Sequence, residues 1–182
     1  MPQKQPTITP LPTHPSLVLT LDLIDTTPAR FHWALFVPSP TDSEIDDHAC
    51  RGTRFHAIGD QTITAGWAYD RVESYALGEF VGLAAAAVIG SLKDGRTVDD
   101  LHVLLRDIPM TVPDVDVEHE SKWTCRVWAR EALRRMHKVG IVACIDVDAL
   151  EEEMWVYGRH AAETIEKGKW EGAQLVWARH SK

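Results

Sequence analysis

The segment Ser16 to Asp25, which reads SLVLTLDLID, carries leucine at positions 17, 19, 21 and 23. Leucine at every second position is the period of a β-strand and not of an amphipathic helix, so the chain must build a sheet here. A second apolar segment, FHWALFV, follows the turn TTPAR and stops at Pro38 and Pro40. The short turn favours antiparallel pairing of these two strands.

Two further strand candidates, RFHAIG and TITAGWAYDRV, are joined by the turn GDQ. The polar stretch PSPTDSEIDDHACRGT, an acidic loop over residues 38–53, separates them from the second strand. Because the other connections are short, the first half of the chain predicts an antiparallel sheet.

The second half of the chain has helical periodicity. VDDLHVLLRDI (98–108) follows the potential cap Thr97, and TCRVWAREALRRMHKVG has apolar residues at 125, 128, 129, 132, 133 and 136. Thr124 or Ser121 can cap this second helix, Gly140 ends it, and a last helix is expected from Asp146 onwards. Strands followed by helices predict an α+β domain over residues 16–182, with an antiparallel sheet packed against helices. Residues 1–15 read as a flexible Pro-rich tail.

Composition excludes several classes of protein. A net charge of −8 argues against a nucleic-acid partner. Three cysteines are not a disulfide framework, and the N-terminus lacks the apolar core of a signal peptide, so a cytoplasmic location is expected. The longest apolar run, FVGLAAAAVIG, is too short for a transmembrane segment. The sequence indicates neither a cofactor nor a metal site, since phosphate-binding glycine loops and complete zinc-ligand sets are missing.

Three residues are candidates for one catalytic site. Cys125 lies in the first turn of its predicted helix, where the helix dipole favours a thiolate, as in many thiol nucleophiles. Such a nucleophile needs a base, and His32 opens a strand that can pack against that helix. His56 on the next strand can orient the ring of His32, as the third member of a catalytic triad does.

These segments, HWALFV, FHAIG and TCRVWAREAL, resemble the lecithin:retinol acyltransferase-like family. The resemblance implies a circularly permuted papain-like fold, with His32 as base, His56 as the orienting histidine and Cys125 as nucleophile. It also implies an acyl thioester intermediate and phospholipid-like acyl donors. The chain departs from the family in three respects. The histidines are 24 residues apart, Arg126-Val127-Trp128 replaces E-H-F after the cysteine, and EGAQLVWARHSK lacks a hydrophobic anchor.

Three functions follow from these features. The first is a cysteine-dependent acyl hydrolase or acyltransferase that acts on an ester, a thioester or an amide of a small molecule. The second is an isopeptidase of the permuted papain-like type, for which the substrate is a peptide tail. The third is a non-catalytic module on the same fold that binds a small molecule or a protein. The oligomeric state is left open by the sequence.

Overall fold

The structure, a computed structural model, describes residues 8–40, 50–79 and 82–181. Within these ranges the chain forms seven strands, three α-helices and one short 3₁₀ turn. In chain order the elements are β1 (Ile8–Thr9), β2 (Ser16–Thr26), β3 (Ala29–Pro38), β4 (Cys50–Gly59), β5 (Trp67–Leu77), β6 (Leu83–Ser91), α1 (Val98–Leu105), the 3₁₀ turn (Asp114–Asp116), α2 (Cys125–Lys138), α3 (Val147–Glu166) and β7 (Ala173–Trp177).

The strands form one sheet in the order β1-β7-β6-β2-β3-β4-β5. Strands β2, β3, β4 and β5 pair antiparallel in chain order, as predicted, and β6, which the sequence analysis does not predict, pairs antiparallel with β2. Strand β7 instead pairs parallel with both β6 and β1, so the sheet as a whole is mixed. The α+β class is confirmed for the described residues.

Some strands differ from the prediction. Strand β6 (Leu83–Ser91) includes most of the alanine-rich run that the sequence analysis considers only as a membrane span, and β7 lies in a segment without a predicted element. Residues 61–66 form turns, so β5 begins at Trp67 and not at Thr62. Ile8, in the segment predicted as a flexible tail, is 1% exposed and belongs to β1. Residues 1–7 of that segment and residues 41–49 of the acidic loop lie outside the described residues.

The three predicted helices are present, with Thr97 as the cap of α1 as predicted and Thr124, one of the two candidates, as the cap of α2. The hydroxyl of Thr97 accepts a hydrogen bond from a backbone N–H at the start of α1, and Thr124 does the same for α2. The carboxylate of Asp146 accepts one at the start of α3. Gly140 follows α2 with a φ of 73°, a conformation that glycine adopts without steric cost.

The side chains of β3 alternate between the two faces of the sheet. Phe31, Trp33 and Leu35 point to the face that carries the helices, where they join the main hydrophobic core. On that face α2 packs against β3 and β4, and α3 packs against β2 and β6. Phe36 belongs to a second, smaller core on the opposite face, together with Ile8.

A buried ion-pair network holds α2. Asp116, in the 3₁₀ turn, is fully buried, and its carboxylate accepts hydrogen bonds from the guanidinium groups of Arg130 at 2.8 Å and Arg134 at 2.6 Å. These two arginines lie four residues apart and therefore share one side of α2. Because a buried carboxylate needs charged partners, the network fixes the rotation of α2 about its axis.

The first prediction concerns Gly52, which is buried in β4 beside a register shift. A Cβ atom there would overlap the carbonyl oxygen of Val37 and lie 2.6 Å from Cζ of Phe36. Gly52→Ala should therefore lower the free energy of unfolding in urea by about 1–3 kcal/mol. Gly59→Ala is the control, because it lies on the same strand with no heavy atom within 4 Å of the new methyl group. Equal stability of the two variants would contradict this packing.

Candidate active site

The structure brings His32 and His56 together. Strands β3 and β4 are neighbours in register Ala34–His56, so the two imidazoles leave the same face of the sheet. Nε2 of His32 lies 2.7 Å from Nδ1 of His56, a hydrogen-bond distance, and the rings are nearly perpendicular. This is the proximity that the sequence analysis expects for a base and the residue that orients it.

A carboxylate extends this pair. Asp70 on β5 stands opposite His56 in the β4–β5 ladder, and its Oδ2 lies 3.2 Å from Nε2 of His56. The three side chains thus form one hydrogen-bonded chain, His32–His56–Asp70. The sequence analysis does not select Asp70, although the alternation of β5 gives a signal: Asp70 points away from the apolar face on which Trp67 and Tyr69 lie.

An ion pair lies beside the histidines on the same face. The guanidinium of Arg54, on β4, pairs with the carboxylate of Asp22, which stands opposite His32 in the β2–β3 ladder. The same guanidinium lies 4.7 Å from the centre of the Tyr75 ring. Arg54 is thus placed next to the predicted base. The sequence analysis assigns no site role to Arg54, Asp22 or Tyr75.

Both imidazoles are uncharged at neutral pH. Burial lowers the pKa of His32 to about 3, and the charge of Arg54, together with that of His56 whenever it is protonated, acts in the same direction. Burial also lowers the pKa of His56, with Arg54 adding to the effect and Asp70 opposing it. For Asp22, burial raises the pKa although its partner Arg54 opposes the shift.

Cys125 is the first residue of α2, as predicted, and is 7% exposed. Its Sγ donates a weak hydrogen bond to the carbonyl oxygen of Phe31 at 3.9 Å, and the backbone N–H of Trp33 points to the same sulfur. A carbonyl and the N–H two residues later point to the same edge of a strand. The sulfur therefore lies at the edge of β3 beside His32. Strand β4 does not pair with β3 at His32, because the β3–β4 ladder begins only at Ala34.

The resting state of Cys125 is a thiol. Burial raises its pKa, although the backbone N–H groups of Trp33 and of the first two residues of α2 partly oppose the shift. The thiolate that the helix position favours in the sequence analysis is therefore not the form at neutral pH. Desolvation at this site outweighs the helix dipole.

The two halves of the predicted site approach β3 from different sides. The imidazole of His32 leaves the strand on the face opposite Phe31 and Trp33, whereas Cys125 packs with those residues in the main core. Within residues 8–40, 50–79 and 82–181, the sulfur has no hydrogen bond to either imidazole. The structure thus joins His32 to His56 and places Cys125 against the backbone of the residues that flank His32.

Cys144 and the acidic and histidine side chains outside the site are the other candidates for thiol or metal chemistry. Cys144 is buried, as its apolar surroundings predict, and burial raises the pKa of its thiol to about 11. In the part of the chain that the structure describes, no group of three or more His, Cys, Asp or Glu residues could hold a metal ion. Nor is any helix in that part long and apolar enough to span a membrane.

Fold and site together define a mixed α+β protein that carries a hydrogen-bonded His–His–Asp chain and a thiol at a helix N-terminus. The chain belongs to a family of unknown function, DUF6540, whose family model matches residues 18–143. This match includes His32, His56, Asp70 and Cys125. Comparisons with curated proteins and with solved structures found no match.

The second prediction concerns pH and stability. Because the folded pKa of His32, about 3, lies below its ordinary value of 6.5, the unfolded chain binds more protons between these values. The stability that His32 contributes is complete above about pH 6.5. It is lost as the pH falls toward 3, by at most about 1.4 kcal/mol per pH unit.

The measurement is urea unfolding between pH 7 and pH 4. His32→Gln should make the fall in unfolding free energy over this window shallower than in the parent protein. His160→Gln, which changes an exposed histidine of α3, is the control and should keep the parent slope. A slope unaffected by His32→Gln would show that this imidazole is not held in its neutral form.

Proposed function

We propose that the protein is a cysteine-dependent acyl hydrolase or acyltransferase that acts on an ester, thioester or amide through a thioester on Cys125. One observation carries the proposal. The sulfur of Cys125, at the start of α2, lies against the backbone on both sides of His32, and His32 begins a hydrogen-bonded chain to His56 and Asp70. A nucleophile, a base and groups that orient the base are the parts that thiol catalysis needs.

The order of these parts along the chain also supports a circularly permuted papain-like arrangement. The strand with His32 precedes the helix with Cys125, as in the lecithin:retinol acyltransferase-like family that the motifs resemble. The adjacency of β3 and β4, which places the second histidine beside the first, agrees with the same arrangement.

In the proposed first step, attack and proton transfer occur together because the resting pair is neutral. Nε2 of His32 is engaged with His56, so Nδ1 is the nitrogen that receives the proton of the thiol. Sγ of Cys125 forms a bond to the carbonyl carbon of the substrate, and the carbonyl oxygen becomes an oxyanion. Backbone N–H groups at the start of α2 then stabilise that oxyanion.

In the second step the carbonyl re-forms and the bond to the leaving group breaks. The imidazolium of His32 gives its proton to the leaving alcohol, thiol or amine and returns to the neutral form. Water or an acyl acceptor, deprotonated by His32, next attacks the thioester. This attack releases the acyl group and returns the proton to the sulfur of Cys125.

A second candidate is a non-catalytic binding module on the same fold. The observation that favours it is the shielding of Cys125, whose sulfur is buried and whose pKa is raised. A buried cysteine on the apolar side of a helix is commonly a packing residue. Under this alternative the polar cluster of Asp22, Arg54 and the two histidines would bind a ligand without covalent chemistry.

The third prediction separates these two functions. Incubation with p-nitrophenyl butyrate should release p-nitrophenolate and add one butyryl group to Cys125, located by peptide mass spectrometry. Cys125→Ala should reduce the release to the uncatalysed rate, and His32→Asn should lower it by about 100-fold or more, as expected for a general base. Both variants should keep the circular dichroism spectrum of the parent.

The matched control is Cys144→Ala, which removes another buried thiol and should retain both activity and acylation. Turnover by Cys125→Ala at the parent rate would exclude the proposed mechanism. A protein that neither releases p-nitrophenolate nor becomes acylated, with this ester and with a thioester analogue, would be assigned to the binding module instead.

A further inference from the structure

We infer that Asp70 is a positioning residue which, acting through His56, leaves Nδ1 of His32 as the nitrogen without a proton. A neutral imidazole has one N–H donor and one acceptor nitrogen, and only the acceptor nitrogen can serve as a base. Which nitrogen accepts is decided by the hydrogen bond that the other one makes. The chain His32–His56–Asp70 settles this choice at both rings.

The assignment starts at the carboxylate. An ionised carboxylate only accepts hydrogen bonds, so Nε2 of His56, 3.2 Å from Oδ2 of Asp70, must carry a proton. Since the ring of His56 is neutral, its Nδ1 is then an acceptor.

The same reasoning applies to the ring of His32. Nδ1 of His56 lies 2.7 Å from Nε2 of His32, and two nitrogens at this distance share one proton. Because Nδ1 of His56 accepts, Nε2 of His32 must be the donor. Nδ1 of His32 is therefore the acceptor, and it makes no hydrogen bond with the part of the chain that the structure describes.

The neighbours of the pair keep both rings neutral. Arg54 of β4 places a fixed positive charge on the same face, which disfavours an added proton on either ring. Two further ionisable groups contact Arg54: Asp22 forms an ion pair with it, and the ring of Tyr75 lies 4.7 Å from its guanidinium. The thiol of Cys125 lies at the edge of β3, against the backbone of the residues that flank His32. Two imidazolium rings would also place two N–H groups against each other at 2.7 Å.

The catalytic part of this inference rests on the proposed function, whereas the proton positions do not. They can be read from ¹⁵N signals of the imidazole nitrogens, because protonated and unprotonated nitrogens give distinct signals. In the parent protein at pH 7, Nε2 of both rings should be protonated and Nδ1 of both unprotonated. The opposite arrangement in His32 would overturn the inference directly, with or without enzymatic activity.

Variants at position 70 supply the second test. The side chain of Asp70 is 39% exposed, so its replacement leaves the core intact. Asp70→Ala should give His32 a mixture of both tautomers, whereas Asp70→Asn should keep the parent arrangement because its amide oxygen can still accept from His56. Glu73→Gln on the same strand is the control, since it removes an exposed carboxylate that pairs with Arg71.

With p-nitrophenyl butyrate, Asp70→Ala should lower kcat by about 10- to 100-fold. KM should change little, because Asp70 acts only through the side chains of His56 and His32 and does not touch the reacting atoms. Asp70→Asn should restore most of the activity. Unchanged nitrogen signals in Asp70→Ala would refute the role of Asp70, even if Cys125 is catalytic. If Asp70→Ala alters the nitrogen signals but Cys125→Ala is as active as the parent, the role of Asp70 is supported. In that case only the proposed function is refuted.

Discussion

The alternation of side chains along β3 is the constraint on which the site depends. Phe31 and Trp33 enter the core under the helices, so His32 between them must leave the strand on the other face. Helix α2 can therefore bring its first residue to the edge of the strand without displacing the imidazole. A shift of β3 by one residue would bury His32 in the apolar core and expose two large aromatic side chains.

On the face of the sheet that carries His32 and His56, partial burial determines the pKa shifts. Burial and the nearby guanidinium of Arg54 both lower the pKa values of His32 and His56, whereas for Asp22 burial raises the pKa against the effect of Arg54. Hydrogen bonds between neutral rings avoid the desolvation of additional charge. The neutral ring of His32 and the neutral thiol of Cys125 distinguish this arrangement from a thiolate–imidazolium pair.

Much of the architecture is encoded in local patterns. The leucines of β2 and the apolar spacing of α2 define their elements, and Thr97, Thr124 and Asp146 mark helix starts because a side-chain oxygen there satisfies free N–H groups. Strands β1 and β7 have only two and five residues, so neither is long enough for a pattern that would reveal it alone. Four successive alanines hide β6, since small side chains carry little periodicity.

The candidate site was predictable to a similar extent. The HWALFV and FHAIG segments place histidines on adjacent strands, and alternation then places both rings on one face. The placement of Asp70 beside His56 depends on the register between β4 and β5. The sequence does not define the length of the turn that sets this register. The protonation state of Cys125 depends on burial by residues distant in the chain, so the helix position alone suggests the wrong form.

The shielding of Cys125 also affects how the protein responds to oxidants. Peroxides react with thiolates far faster than with thiols, and they must reach the sulfur. A buried, protonated cysteine meets neither requirement, so the sulfur at the start of α2 resists conversion to sulfenic acid. An exposed cysteine thiolate is readily oxidised, whereas the buried thiol of Cys125 is expected to stay reduced under the same conditions.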